Sequence, residues 1–582
     1  MLKTSFIVLI FIYSVSFVPA AFSQSFTITL EAEGLSSEQK TALLNNITLY
    51  RQRTSALMSE DYIRRLYQMG SQEILNNAKV FGYYKAKIES SLDDTQQPWI
   101  IRYQLQPGPA LPVSSVDIQI QGEAIKDNKI KQWREDFPLS TGDNLNQTLY
   151  DSAKQELQNI LRERGYFSAV FQKSEIRISL KKYISDIVIY LDSGPRYRFG
   201  PVSFKQDTFS DKFLSRFVGF TEDDYFDYEK LIALQRNLSK AKEFKQIEIS
   251  PLVEQASDNK VPVDVVLTLH KPWSYTLGLG YGTDTGARFR AGVQRRQITS
   301  TGQNADAEIY VSQVRSTFSS HYRIPLKNPA TDNFIMSLSR NVEDIDNSYS
   351  ETNTLGLSKV QLIKIWERTY SLSYLNEVFE VSNVIEQSRL LIPALTFVYK
   401  PEQPLVINPE PLNWRFNVTF KGADEGFLSD VSYFQTRMFL GNYTRLLPKL
   451  ALVSRLDVGW SWVGDFQFLP VSQRFYAGGD WSIRGYDYNS LGPEDDSGEV
   501  IGGERLLVGS MELQYKFAPK WDVAAFYDTG DAYDKNQFQA EAGAGAGIGW
   551  QLPFGVIRAY MANALTDPDR PWRFHLLVSA EW

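Results

Sequence analysis

One arginine and two acids carry the most chemical promise in this chain. Arg484 lies in Ile483-Arg484-Gly485-Tyr486, and Asp528 lies in Phe526-Tyr527-Asp528-Thr529-Gly530. Strict alternation from Leu506 sets Leu507, Met511, Leu513, Tyr515 and Phe517 on one face and Ser510, Glu512, Gln514 and Lys516 on the other. The next alternating segment sets Val523, Ala525 and Tyr527 opposite Phe526 and Asp528. Glu512 and Asp528 therefore share the less apolar face of neighbouring strands. The guanidinium is a planar fork suited to carboxylates, so the chemistry on offer is anchorage, with a long loop pinned through Arg484 to the two acids. A solvated outer loop over two acids standing in water would have the same sequence.

Other chemistry is thinly supplied. There is no cysteine, which excludes disulfides, thiolate metal sites and a Cys nucleophile. His270, His321 and His575 stand far apart, and no cofactor or metal is expected. Neither a Gly-x-Ser-x-Gly elbow nor a Gly-x-x-x-x-Gly-Lys phosphate loop occurs, so an enzyme is not expected. A net charge of -7 argues against nucleic acid as a partner.

The elements that must position these residues fall into two regions. Lys3, the apolar run Phe6 to Val18 and the small-x-small site Ala21-Phe22-Ser23 predict a cleaved signal peptide over residues 1–23. Residues 24–272 carry a unit that recurs with a period of about 80 residues, each with an opening strand, helical stretches, and a turn into two strands. In the first unit (24–108) a helix around Tyr62 to Val80 leads through Gly82-Tyr83-Tyr84 to strands at Lys85 to Ser91 and Pro98 to Leu105. In the second (109–194) Val116 to Ile120 opens, Leu145 to Arg164 is helical, and Gly165-Tyr166-Phe167 turns into Val170 to Ile178 and Ile184 to Leu191. In the third (195–272) Val202 to Phe204 opens, Tyr228 to Ala241 is helical, Phe244 takes the aromatic place, and strands run over Gln246 to Glu254 and Pro262 to His270.

From Trp273 to Trp582 the helical period vanishes. Sixteen alternating segments follow, broken by Gly, Pro, Asn and Asp, among them 303–313, 388–399, 504–517, 520–529, 539–552 and 573–582. An even number of amphipathic strands suits a closed antiparallel transmembrane β-barrel, which pairs every backbone donor where no water is present. A soluble β-sandwich or propeller shares the alternation, but explains poorly the run Phe574, Leu576, Val578, Ala580 and Trp582 on one face at the end of the sequence.

In order, and after three such units, the two motifs closely resemble the BamA/TamA superfamily of outer-membrane assembly proteins, over nearly all of the chain beyond residue 23. The resemblance implies that the repeats are periplasmic POTRA domains, three of them as in the TamA branch, ahead of a 16-stranded outer-membrane barrel. It implies that Arg484 is held by acids on the two strands, Glu512 and Asp528. It further implies a Gram-negative assembly or translocation factor for β-rich clients such as autotransporters. Its partners would be a TamB-like periplasmic protein anchored in the inner membrane, unfolded β-barrel clients and outer-membrane lipids. Lipid transport between the membranes is the alternative within the family. A passive porin is the alternative outside it, although it would need no periplasmic arm and would leave its lumen open.

Two glycine patterns bear on mechanism. The first barrel strand reads Trp-Ser-Tyr-Thr-Leu-Gly-Leu-Gly-Tyr-Gly from Trp273, so Gly278, Gly280 and Gly282 weaken its lumenal packing, and with Phe574 and Trp582 of the last strand they are expected to form a lateral seam. Gly543, Gly545, Gly547 and Gly549 leave four successive lumenal positions without side chains, either for something bulky to approach or merely to let the strand bend.

Overall fold

A computed structural model describes residues 26–55, 58–345, 348–381, 384–401, 414–535, 537–552 and 555–579. The expected signal peptide lies outside them, as do Ala580 and Trp582. The chain divides into two compact units, one built on the described residues up to 201 with 221–229 and 251–263, the other holding the barrel with 202–220 and 230–250.

The three repeats have one design. Each has a three-stranded sheet in which the opening strand lies beside the last, with the middle strand on the far edge. In the first, Phe26–Ala32 runs parallel to Trp99–Gln106, and Lys87–Asp93 runs antiparallel to it. The helix Glu60–Val80 starts where Ser59 accepts from the Tyr62 N–H, and buries Ile63, Leu66, Gly70, Ile74 and Ala78 at three- and four-residue spacing against Trp99, Ile101 and Tyr103. Gly70 is there because the Tyr103 hydroxyl occupies the space a Cβ would need, 2.2 Å away.

The second repeat repeats the arrangement with Gln147–Glu163 capped by Asn146. Its Gly-Tyr turn is a helix stop. Gly165 sits at φ +84°, and the Tyr166 N–H reaches back to the Leu161 carbonyl at 2.8 Å, so left-handed glycine closes the helix and drops the tyrosine into the core. Gly82 at φ +85° does the same for Tyr83. In the third repeat the opening strand is longer than alternation predicts, Arg198–Lys205, and the strand expected over Gln246 to Glu254 is Phe244–Pro251. Proline cannot donate to the ladder, and Val253–Gln255 turns as a 3-10 helix instead.

Sixteen antiparallel strands close the barrel, from Trp273–Gly282 to Trp572–Ser579. No helix among the described residues is long and apolar enough to cross a membrane, which says nothing of these strands. Their outer faces are apolar and exposed, as at Tyr275, Leu277 and Leu279 of the first strand, and Trp521 stacks on Trp550 at 5.5 Å. Several ends differ from the alternation. The segment 303–313 is Asn304–Val311, 388–399 begins at Val384, and 539–552 begins at Glu541. The thirteenth strand runs past Gly530 to Tyr533, because its ladder with Arg505–Ala518 continues to the Arg505–Tyr533 pair.

Residues of the third repeat brace the barrel's near turns. Ser210 N–H donates to the Ser300 carbonyl at 3.0 Å, Arg216 to the Pro325 carbonyl at 2.8 Å, and the Phe213 ring packs so closely on Gly302 that no Cβ would fit.

Candidate functional site

The site begins with a connection. Between Val463 of the eleventh strand and Arg505 of the twelfth the chain makes a long excursion that folds into the lumen. Its base is tied down by a carboxylate on the seventh strand. Fully buried Glu377 accepts from the Ser472 N–H at 3.0 Å and from the Ser472 hydroxyl, while Gln435 donates to the Gln473 carbonyl at 2.7 Å. Farther in, Phe475, Ala477 and Ile483 pack on Leu506, Val508, Ala532 and Ala564, so the loop carries its own apolar foot.

Arg484 is at the tip of this excursion and only 2% exposed. Nε donates to Asp528 Oδ2 at 2.7 Å and Nη2 to Asp528 Oδ1 at 2.9 Å, a two-point fork, while Nη1 reaches Glu512 Oε2 at 2.6 Å. The Arg484 backbone N–H adds a bond to Asp528 Oδ2 at 3.1 Å. The guanidinium lies over the Phe526 ring, 3.5 Å from its centroid. The acids are held in turn, Asp528 by the Ser510 hydroxyl at 2.6 Å and Glu512 by the Tyr560 hydroxyl at 3.0 Å and Gln514 at 2.8 Å. Strand register explains the convergence. Ser510 stands opposite Asp528 and Glu512 opposite Phe526, which brings all four onto one patch of lumenal wall.

The rest of the motif is seated as tightly. Gly485, at φ +105°, donates its N–H to His575 Nε2 at 3.0 Å, and a Cβ there would meet the Asn563–Ala564 backbone. The Tyr486 hydroxyl meets Glu541 and Thr566, each at 2.7 Å. Gly530 lets the twelfth strand approach, since a Cβ would sit 2.0 Å from the Leu507 carbonyl oxygen. Gly543 faces Asp528 across the ladder and leaves room for the Arg484 carbonyl, 1.9 Å from where a Cβ would be. Only that glycine admits the loop. Gly545, Gly547 and Gly549 leave their space to Phe526, Tyr560 and Asp522 of the wall itself.

At the seam, among the described residues, Gly282–Leu577 is the one register pair between first and last strands; on the other side of the first strand Gly278 and Gly280 stand opposite Arg290 and Arg288, and the space beside Gly280 reaches the Val578 carbonyl of the last strand. Phe574, also on the last strand, pairs with Met561 of the fifteenth strand and points outward. Asp284, Asp480 and His575, and the pair Arg573–Asp487, also join the loop to the strand ends. Neither His575 nor Asp480 was singled out from the sequence; alternation with Phe574 is the signal that could have found His575, and nothing in the sequence marks Asp480.

A lumenal cavity of about 620 Å³ remains beside the loop, lined by Arg315, Arg437, Arg455 and Tyr488 among others.

Comparison with known proteins agrees with this architecture. Residues 412–582 match the Omp85 superfamily domain, residues 29–107 the POTRA domain TamA domain 1, and residues 115–194 a POTRA repeat described as surface antigen variable number repeat. The chain belongs to the BamA/TamA superfamily of outer-membrane proteins. It is 24% identical over 372 residues to the outer membrane protein assembly factor BamA of Nitratidesulfovibrio vulgaris, covering 60% of this chain and 46% of that one. To the BamA of Neorickettsia risticii it is 21% identical over 414 residues, covering 66% and 54%. The chain thus spans about half the length of the curated relatives it matches. BamA from Haemophilus ducreyi lacking POTRA domains 1-3 shares the fold with a TM-score of 0.66 at 17% identity, over 81% of this chain and 99% of that one. The barrel accordingly lies in the outer membrane, with the N-terminal domains in the periplasm.

Proposed function

We propose that this protein assembles or translocates β-rich clients, autotransporters among them, at the outer membrane, and that its work is strand pairing at a seam rather than covalent chemistry. The single observation that carries this reading is that, among the described residues, one register pair, Gly282–Leu577, joins the first and last strands, against ten between the first and second. Such an edge has backbone N–H and C=O groups to offer an incoming strand. The relatives' printed role as assembly factors supports it.

Three periplasmic repeats and a first domain of the TamA kind favour the TamA branch, with a TamB-like inner-membrane partner docking on the first repeat, residues 24 to about 108. The Arg484 anchor holds the loop as a lid. Deleting the first repeat should abolish capture of that partner from crosslinked envelopes while leaving a folded, heat-modifiable barrel. Capture that survives the deletion moves the docking surface elsewhere. Lipid released from the envelope without any effect on barrel clients would favour transport of outer-membrane lipids instead.

A further inference from the structure

His575, on the last strand and 2% exposed, gives its two ring nitrogens to two different parts of the lid. Nε2 lies 3.0 Å from the Gly485 backbone nitrogen, a group that can only donate. Nε2 must therefore keep its lone pair, the ring proton sits on Nδ1, and Nδ1 donates to Asp480 Oδ1 at 2.6 Å. Gly485 follows Arg484 directly, and Asp480 precedes it by one helical turn's worth of sequence, so a single side chain of the last strand grips the motif from both sides.

Asp480 passes the grip on to the first hairpin. Its N–H donates to Asp284 Oδ2 at 2.6 Å, and its Oδ1 lies 3.4 Å from the Thr283 hydroxyl. That hydroxyl in turn accepts from the Leu576 N–H at 3.3 Å, back on the last strand. The circuit closes beside the Gly282–Leu577 pair, the one backbone register pair across the seam among the described residues. The outer end of the seam is thus held by side chains converging on the lid.

Asp284, Asp480 and His575 also lie close enough together to hold a cation, within 4.8 Å, and Asp480 Oδ2 is buried without a hydrogen-bond partner. A metal on Nδ1 would leave the proton on Nε2, pointing at the Gly485 N–H. The bond to Gly485 therefore assigns the ring to the lid and not to an ion.

We propose that His575 is a positioning residue that couples the seating of the Arg484 loop to closure of the seam, so that unseating the lid loosens the junction of first and last strands. This rests on the seam being the working edge of the barrel, but its test needs no client and no partner, so its failure and the failure of the assembly reading are separate results.

The test is amide hydrogen exchange of the full chain in liposomes, read on lid residues 480–488 and on seam residues 572–579, with heat-modifiability checking that each barrel is folded. His575→Leu should speed exchange in both segments by roughly five- to a hundredfold, the range that follows from losing a buried hydrogen bond. His575→Gln, which keeps an acceptor near the Nε2 position, should restore lid protection. His575→Asn, which keeps a donor near Nδ1, should restore the tie to Asp480 but not the protection of Gly485. The decisive comparison is transmission: Arg484→Lys should speed seam exchange in the wild-type background and add nothing in His575→Leu. Equal effects of Arg484→Lys in both backgrounds, or a lid unaffected by His575→Leu, overturn the proposal. Should the leucine variant fail to fold, the same comparison is made in His575→Gln and His575→Asn, where Arg484→Lys must transmit less than in wild type.

Discussion

Replacing Arg484 by lysine keeps the charge and removes the fork, and the geometry fixes what that removes. The guanidinium makes three side-chain bonds to two acids, two of them to Asp528, and stacks on Phe526. An ammonium at the same place can satisfy one carboxylate well, and the other is left buried with a neighbour it no longer pairs. Removing one partner of a buried ion set costs about 3 to 5 kcal/mol, because the desolvation of what remains is no longer offset. Lysine forfeits about 1.5 to 3 kcal/mol for a charged hydrogen bond and up to about 2 kcal/mol of stacking, so its total approaches that of alanine. A solvated arginine on an outer loop would lose under about 1 kcal/mol in either variant.

The two cases separate in protease nicking of the lid, measured on heat-modifiable barrels in liposomes. A pinned lid opens more often by a factor of about 150 to 5,000 in both variants, from about 3 to 5 kcal/mol, while a solvated one changes by less than about tenfold. Assembly activity should fall with lid protection. Wild-type protection and activity in Arg484→Ala would refute the reasoning that the buried ion set holds the loop.

Other consequences follow from single positions. Asp528→Asn should reproduce part of the Arg484 defect in the same nicking assay, because the amide is neutral and offers the fork one acceptor oxygen in place of two. Gly543→Ala should unseat the lid without touching a charge, its Cβ competing with the Arg484 carbonyl oxygen, and cost about 1 to 3 kcal/mol in lid protection; an unchanged lid would mean the loop does not approach that strand. In the third repeat, burial pushes the Glu243 carboxyl above its usual range. A raised acid favours the folded state below its unfolded range and loses that contribution as pH rises toward the raised value, so Glu243→Gln should slow hydrogen exchange in residues 241–252 at neutral pH, and the gain should vanish in acid.

How much of this was legible depends on how local the signal was. The two-residue period placed Glu512 and Asp528 on the lumenal wall, because which face a strand residue takes is fixed by its immediate neighbours. Two of the three repeats were readable from Gly-Tyr helix stops, each a left-handed glycine with an aromatic packed on the core after it, and the third from Phe244 in the matching place. The thirteenth strand was cut short at Gly530 because glycine interrupts an alternation, yet the ladder with the twelfth strand carries on through it. The pair Gly282–Leu577 could not be singled out in advance, since register between strands some 300 residues apart leaves no local trace. Glu377, Asp480 and His575 were missed for the same reason: the pairs Glu377–Ser472 and Asp480–His575 each join residues 95 positions apart.

The central claim is that the junction of the first and last strands opens to work. Gly282 and Leu577 are register partners facing the lumen, the cysteine-free chain supplies no competing thiol, and antiparallel partners have the spacing a disulfide accepts. The most direct measurement is assembly of a β-barrel client by Gly282→Cys/Leu577→Cys in liposomes, oxidised and then reduced, with each single-cysteine variant as control. The account predicts that activity is lost on oxidation and returns with reductant. Full activity with the crosslink verified in the whole population would contradict it.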